Sequence, residues 1–460
     1  MDRDRRAAAG RRRPSLAAAL VLAVVATQAP VAPAMAVPPD PRYPAADAGY
    51  HDPSEIGERL HALAALHPGI VEVRSIGRSA QGRPIWAVRI SDDVTGPDDP
   101  SEPEVLFDGL HHAREHLSAE VALSAAELLA GAYGDPGALG RRVTRLVDER
   151  VIWVVPVLNP DGLAWDLSAP NRPYGPGGAH RYAAWRKNRQ PLPGSAAVGI
   201  DLNRSWGAFW GCCGGSSSSP WSDVYRGPRV WAAPEVRALR DLVRSRVVDG
   251  RQRIVTHVSF HAAGEQVLFP WAHTSRDLVG SMTGRDLRTF RRIAGRLARS
   301  AGFRPRQSSA MYVTDGDMID WMYDDQRVFS LTVELPPRTP ASTDPDGYYP
   351  PDEALPRIER RVRALILDTI ELADCPYRLI GAARAWCGPF ADDLEGDRGW
   401  RTDPDGTDDA TAGAWERGDP SADRRLGVRA ADGRSALVTG RAPGVDVDGG
   451  TTTVRSAWLT

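Results

Sequence analysis

The sequence predicts an α/β fold in which amphipathic helices lie on a sheet. Between about residues 50 and 375, short β-branched apolar runs alternate with longer runs whose apolar residues recur at spacings of three and four. At 460 residues, 42% of them hydrophobic, the chain can build two or three domains around a sizeable core. Its 44 Gly and 38 Pro are too few for a collagen-like or low-complexity chain. With 57 Lys+Arg against 59 Asp+Glu, nothing favours nucleic acid or an acidic membrane as the main partner.

Residues 1–36 read as an export signal rather than part of the fold. Arg3, Arg5, Arg6, Arg11, Arg12 and Arg13 make a basic start, Leu16 to Ala26 an apolar stretch, and Ala34-Met35-Ala36 a small-residue cleavage site. The apolar stretch is shorter than the roughly 20 residues that span a bilayer, so a secreted, extracellular protein is expected. Residues 37–49 read as a short linker. Strands are then predicted at Val71–Ile76, Ile85–Ile90, Glu104–Asp108, Val151–Val157, Ile254–Phe260, Gln266–Phe269 and Val328–Glu334. Helices are predicted at Ser54–Ala65, His116–Gly131, Ala233–Val248, Arg285–Ser300 and Pro356–Leu372. The last shows the pattern well, with Ile358, Val362, Leu365, Ile366 and Ile370 on one stripe. Asn171 to Arg229 is a long Gly/Pro/Ser-rich region, and loops of that length in a compact domain tend to carry function.

The main α/β domain is expected over residues 50–375. After Cys387 the composition shifts to Asp, Gly and Thr, and 388–460 reads either as a small or incomplete β-sandwich or as a disordered tail. Strand-like pieces fall at Ala436–Thr439 and Thr452–Leu459. An exported chain keeps disulfides. The favoured bridge is Cys375–Cys387, while Cys212 and Cys213 either pair with each other or stay free.

Gly109-Leu110-His111-His112-Ala113-Arg114-Glu115 follows a predicted strand and opens a predicted helix. H-x-x-E turns an imidazole and a carboxylate toward one point, and a catalytic zinc site needs a third ligand while keeping one position open. His261, directly after the strand Ile254–Phe260, is the best third ligand, and His257 inside that strand reads as packed. His111 competes with His112 as ligand, and His116 lies close by.

The chain resembles the zinc metallocarboxypeptidases of the carboxypeptidase A and carboxypeptidase T type. The likeness runs from Tyr50-His51 to about Ala373. It includes Ile76-Gly77-Arg78-Ser79, Gly82-Arg83-Pro84-Ile85, His112-Ala113-Arg114-Glu115, Asn159-Pro160-Asp161-Gly162 and Trp185-Arg186-Lys187. It continues through Asp201-Leu202-Asn203-Arg204, Tyr225-Arg226-Gly227, Ser259-Phe260-His261, Tyr312, Ile319-Asp320-Trp321 and Thr332-Val333-Glu334-Leu335.

The resemblance implies a three-layer α/β/α sandwich around a mixed, mostly parallel eight-stranded sheet. It implies one Zn2+ held by His112, Glu115 and His261, with Glu334 as general base and Arg186 as stabiliser of the oxyanion. Asn203, Arg204 and Tyr312 would grip the substrate's terminal carboxylate, Arg114 would contact the peptide further up, and Asp201 would orient His112. Ile319 would be the floor of the pocket for the C-terminal side chain, and Asp317, two residues before it, would add attraction for Lys or Arg. The expected activity is release of C-terminal residues from peptides, apolar first and basic second, by a monomer with no nucleic-acid partner and no membrane insertion. A peptidoglycan-directed zinc peptidase and a non-catalytic glycan- or surface-binding protein are the competing readings.

Overall fold

The computed structural model describes residues 40–387 apart from 97–98, 100, 169–181, 249 and 339–344, and four short strands beyond 387. In chain order the elements are α1 (Pro53–Leu66), β1 (Val71–Arg78), β2 (Pro84–Ile90), β3 (Glu104–Gly109), α2 (His116–Ala132), α3 (Ala138–Asp148), β4 (Val151–Val155) and α4 (Pro160–Ser168). Then come α5 (Pro234–Ser245), a hairpin of β5 (Val247–Val248) and β6 (Arg251–Gln252), β7 (Ile254–Ala262), β8 (Gln266–Phe269), α6 (Gly284–Ala301) and β9 (Arg304–Gln307). The domain closes with α7 (Met318–Asp324), β10 (Phe329–Leu335), α8 (Leu355–Leu372) and α9 (Ala383–Trp386).

The eight-stranded sheet runs β1-β2-β4-β3-β7-β10-β8-β9. Its middle, β4-β3-β7-β10, is parallel throughout, and antiparallel pairs lie at β1/β2, β2/β4 and β10/β8. Successive side chains of a strand point to opposite faces, and this splits the apolar runs into two layers. Val105 and Phe107 of β3 and Ile152 and Val154 of β4 pack with α1, α2, α3, α6 and α8. Leu106 of β3 and Val151, Trp153 and Val155 of β4 pack on the other side with α5 and α7. Both faces of the central strands are covered, so those strands read as unbroken apolar runs.

The α/β/α sandwich and mixed sheet agree with the expectation, and the differences have local causes. The predicted helix over Ala233–Val248 ends at Ser245, and exposed Val247 and Val248 form a hairpin instead. Strand β9, with the sequence Arg-Pro-Arg-Gln, carries no apolar alternation and is an edge strand. Within the expected linker at 37–49, the described residues 40–49 bond to the domain. Arg83 Nε donates to Asp40 at 2.6 Å, Tyr182 Oη donates to Asp47 at 2.6 Å, and the Gly49 N–H donates to Asp352 at 2.7 Å.

Cys375–Cys387 is bridged, as is the neighbouring pair Cys212–Cys213. Beyond 387, β11 (Arg401–Thr402) pairs with β14 (Val454–Arg455) and β12 (Trp415–Gly418) with β13 (Ala436–Thr439), all antiparallel. The extension is β-rich in its described parts. Residues 1–36 lie outside the described residues, among which no helix is long and apolar enough to cross a membrane.

Candidate active site

The site forms where β3, β7 and β10 end side by side. Gly109 of β3 faces Phe260 of β7, and His261 of β7 is the ladder partner of Glu334 in β10. Leu110 sits in the left-handed region at φ 55°, where the chain leaves β3 toward α2. Asn159 Nδ2 donates to the His111 carbonyl at 3.0 Å, and the Ala113 N–H donates to the Arg186 carbonyl at 3.0 Å. These bonds fix the backbone on both sides of His112.

His112, Glu115 and His261 offer ligand atoms that all lie within 4.8 Å of one another, and each residue is buried. His112 Nδ1 is 2.7 Å from Glu115 Oε1, His261 Nδ1 is 3.0 Å from Glu115 Oε2, and the two Nδ1 atoms are 3.3 Å apart. Two imidazole lone pairs cannot face each other at that distance without a cation or a proton between them. A three-ligand N,N,O set with an open side is also the donor chemistry of a catalytic zinc site, so these residues fit the metal. The Ala262 N–H donates to Glu115 Oε2 at 3.1 Å, which holds the carboxylate with main chain.

Each ionisable group of the cluster is shifted by its neighbours. Burial would raise the Glu115 carboxyl, but His112 and His261 hold it well below its ordinary value. Burial lowers His261, and Glu115 more than offsets this, leaving it at about 9. His112 is lowered by burial and by Arg186. Glu334 is pushed up to about 8 by burial and by the charge of Glu115. A carboxyl raised in this way is suited to proton transfer near neutral pH.

Asp201 links the two sides of the cleft. Its Oδ1 lies 3.2 Å from His112 Nε2 and accepts the Asn203 N–H at 2.9 Å, while its Oδ2 accepts Arg186 Nε at 2.9 Å. Burial would raise Asp201, but Arg186 and Arg204 keep it well below its ordinary value and thus charged. Such a carboxylate fixes the His112 ring with Nδ1 toward the ligand point. Arg186 comes no nearer to Glu115 than 4.0 Å and is held charged, with Asp201 outweighing burial.

Beside this lies a pocket of about 340 Å3, including its open mouth. It is lined by His112, His261, Glu334, Asn203, Arg204, Tyr312 and Asp317, with Leu268, Met311, Thr332, Thr314 and Ser308. Asp317 Oδ2 accepts from Asn203 Nδ2 at 3.3 Å and from Thr314 Oγ1 at 3.0 Å, and Arg204 Nη1 is 4.0 Å away. Ile319, expected as the pocket floor, is fully buried behind Asp317, which stands at the pocket wall. Helix α7 begins at Met318 with Asp317 as its N-cap, accepting the Ile319 N–H at 3.1 Å. The first turn therefore carries Ile319 inward and leaves Asp317 at the wall. Tyr312 is 51% exposed at the rim. Arg114 stacks on the Tyr348 ring at 4.8 Å and lies 3.6 Å from Asp223.

Of the competing histidines, His111 turns away to Asp108 at 3.2 Å and stacks on His261, with ring centres 5.2 Å apart. His257 bonds Asp108 at 2.5 Å and Ser330 at 2.7 Å, packed as expected, and His116 pairs with Asp166 at 2.9 Å. The pocket residues Leu268, Met311, Thr314 and Thr332 escaped the sequence reading because small and apolar residues carry no chemical signature.

The family comparison decides what this geometry belongs to. Residues 56–364 match the model of the zinc carboxypeptidase family, peptidase M14. The chain belongs to this family. The carboxypeptidase is 36% identical over 342 residues to a zinc carboxypeptidase of Saccharothrix mutabilis subsp. capreolus, covering 74% of this chain and 73% of the relative. It is 30% identical over 293 residues to carboxypeptidase A1 of Bos taurus, covering 63% and 62%. Among solved structures, the carboxypeptidase A of Helicoverpa armigera superposes with a TM-score of 0.57 at 26% identity, over 73% of this chain and 75% of that one. The carboxypeptidase is a metallopeptidase that acts on peptide C-termini, and its His112–Glu115–His261 cluster is where the described residues can hold the family's zinc.

Proposed function

We propose that the enzyme is an exported zinc carboxypeptidase that releases apolar C-terminal residues first and Arg or Lys second. The observation that carries this reading is the pairing of Glu334 with His261 across neighbouring parallel strands. It sets a carboxyl of raised pKa beside the point where His112, Glu115 and His261 converge, with Arg204 and Asn203 in the same pocket.

His112 and His261 through Nδ1, and Glu115 through its carboxylate, would hold one zinc ion. Zinc supplies polarisation of the scissile carbonyl and a nucleophilic water near neutral pH. Glu334 takes the proton of the attacking water and passes it to the leaving nitrogen. Arg186, aimed by Asp201, carries the negative charge that develops on the carbonyl oxygen. Asn203, Arg204 and Tyr312 grip the terminal carboxylate, with the planar fork of Arg204 matching its two oxygens. A chain without a free carboxylate at that distance leaves Arg204 unpaired, which makes the enzyme an exopeptidase. Arg114 contacts the peptide upstream.

Leu268 and Met311 give the side-chain pocket an apolar wall. Asp317 already accepts from Asn203 and Thr314 and faces Arg204 at 4.0 Å, so its pull on a basic residue is secondary. Export is supported by the leader at residues 1–36 and by both disulfides. The chain acts as a monomer.

The test is hydrolysis of matched blocked dipeptides ending in Phe, Arg or amidated Phe, with and without a zinc chelator, beside Glu334→Ala. Release of Phe that requires metal, Glu334 and a free carboxylate is expected, with Phe cleaved faster than Arg. No release by zinc-loaded protein, or equal release from the amidated peptide, overturns the reading.

A further inference from the structure

Arg204 owes its orientation to a loop that the reaction itself does not use. Its Nε donates to the Gly215 carbonyl at 3.1 Å and its Nη1 to the Asn203 carbonyl at 2.7 Å. Two of the three guanidinium nitrogens are thus tied to backbone oxygens, and Nη2 completes the edge presented to a carboxylate. The Asn203 carbonyl is part of Arg204's own turn. Gly215 lies eleven residues away in the chain, so something must hold it in place.

That anchor is Asp315, which is 1% exposed. Its Oδ2 accepts the N–H of Cys213 and the N–H of Gly215, each at 3.0 Å, and its Oδ1 accepts the Ser216 hydroxyl. The Gly215 amide, the Cys213 amide before it and the Ser216 side chain after it are all pinned to one buried carboxylate. The approach is close: a Cβ on Gly215 would lie 2.4 Å from Thr314 Cα. Gly316, next to Asp315, has φ +63°, and a Cβ there would lie 2.4 Å from the Arg204 carbonyl. The Trp206 N–H donates to the Gly316 carbonyl at 3.1 Å, and the exposed Cys212–Cys213 bridge closes the loop tip beside the Cys213 donor. The segment bearing Tyr312 and Asp317 and the segment bearing Asn203 and Arg204 are therefore clamped together through Asp315.

We propose that Asp315 is a positioning residue for substrate binding. By fixing the Gly215 carbonyl it sets the Arg204 fork before the substrate arrives. This rests on the reading of Arg204 as the carboxylate grip. Without the clamp the Gly215 carbonyl swings away, and the ordering of Arg204 must be repeated at each binding event. The loss then appears in KM, because Arg204 touches the part of the substrate that does not react.

The test compares zinc-loaded wild type, Asp315→Leu, Asp315→Asn, Gly215→Ala and Arg204→Ala on a blocked dipeptide ending in Phe. Asp315→Leu keeps the branched shape of the side chain and removes the acceptors, and it is expected to raise KM about tenfold with kcat within about twofold. Asp315→Asn can accept both N–H groups through Oδ1 and donate to Ser216 through its amide, so KM is expected close to wild type. Gly215→Ala leaves Asp315 intact and pushes the loop off Thr314; its KM is expected to rise in the same way, and it decides the matter alone if Asp315→Leu does not fold. Arg204→Ala is expected to raise KM more than any of these. An unchanged KM in Asp315→Leu or Gly215→Ala beside a raised one in Arg204→Ala overturns the proposal alone. So does an Asp315→Asn as impaired as Asp315→Leu. An unchanged KM in Arg204→Ala overturns the grip reading together with the proposal.

Discussion

The two halves of the cleft are built differently. On the metal side, His261 and Glu334 sit within β7 and β10, so their separation is set by a backbone ladder, and His112 and Glu115 follow closely on the neighbouring β3. His112, Glu115 and His261 are only 4%, 3% and 2% exposed. On the carboxylate side, Asn203 and Arg204 occupy a three-residue turn, Tyr312 is half-exposed, and the segments are joined by side chain to backbone bonds. The sheet thus sets the spacing of His261 and Glu334, whereas Arg186, Asn203, Arg204 and Tyr312 lie on loops and short turns, where sequence is freer to vary.

His261→Ala tests this contrast most severely. It removes one of three ligands, and zinc content by atomic absorption and peptide hydrolysis should both fall to background. Glu334→Gln comes next: kcat should fall by roughly 10²–10⁴ while zinc content and KM stay near wild type. A main effect on KM would mean that Glu334 belongs with recognition, and the contrast would fail. Asp317→Asn should act in the opposite way, leaving cleavage of C-terminal Phe within about twofold and lowering the Arg-to-Phe ratio of kcat/KM by about three- to tenfold. An unchanged ratio removes Asp317 from specificity.

Glu235→Gln should touch neither half and report on the framework below them. Glu235 is fully buried, accepts from Ala80 N and Asn188 Nδ2, and is pushed up from 4.5 to about 7 chiefly by burial. Its folded pKa lies above the unfolded one, so its contribution to stability is complete below about pH 4.5 and is lost as pH rises through about 7. Urea midpoints should show the wild type losing ground to Glu235→Gln between pH 5 and pH 8, by up to a few kcal/mol. The same difference at both pH values would mean that Glu235 is ionised in the fold.

The parts legible in the sequence are those where one residue type has few uses. The strands β1 to β4, β7, β8 and β10 and the helices α1, α2, α5, α6 and α8 show their periods openly, because burial on a sheet demands them. Helix α3 also carries the pattern, in Val143, Leu146 and Val147, yet it lies in a short interval between two stronger signals. Helix α4 opens on Asn159-Pro160-Asp161-Gly162, a run that reads locally as a turn and is made helical by burial of Leu163 and Leu167. The choice between His111 and His112 is set by tertiary structure, since Asp108 captures one ring and Asp201 the other. That Asp317 stands at the pocket wall is likewise set by the fold, since its place there comes from capping α7. Asp315 could not be singled out, because its partners are backbone amides about a hundred residues away.

The His261–Glu334 pairing also acts as a ruler. Adjacent strands of any sheet stand about 4.8 Å apart, so the backbones of Glu334 and His261 are one step of the hydrogen-bonded sheet apart, and β3 adds a second step on the far side. No side-chain substitution can lengthen that step. Sequence drift, loop replacement and retuning of the pocket can go far in this enzyme before the spacing of its chemistry changes, and a redesign that needs a different spacing has to alter the order of the strands.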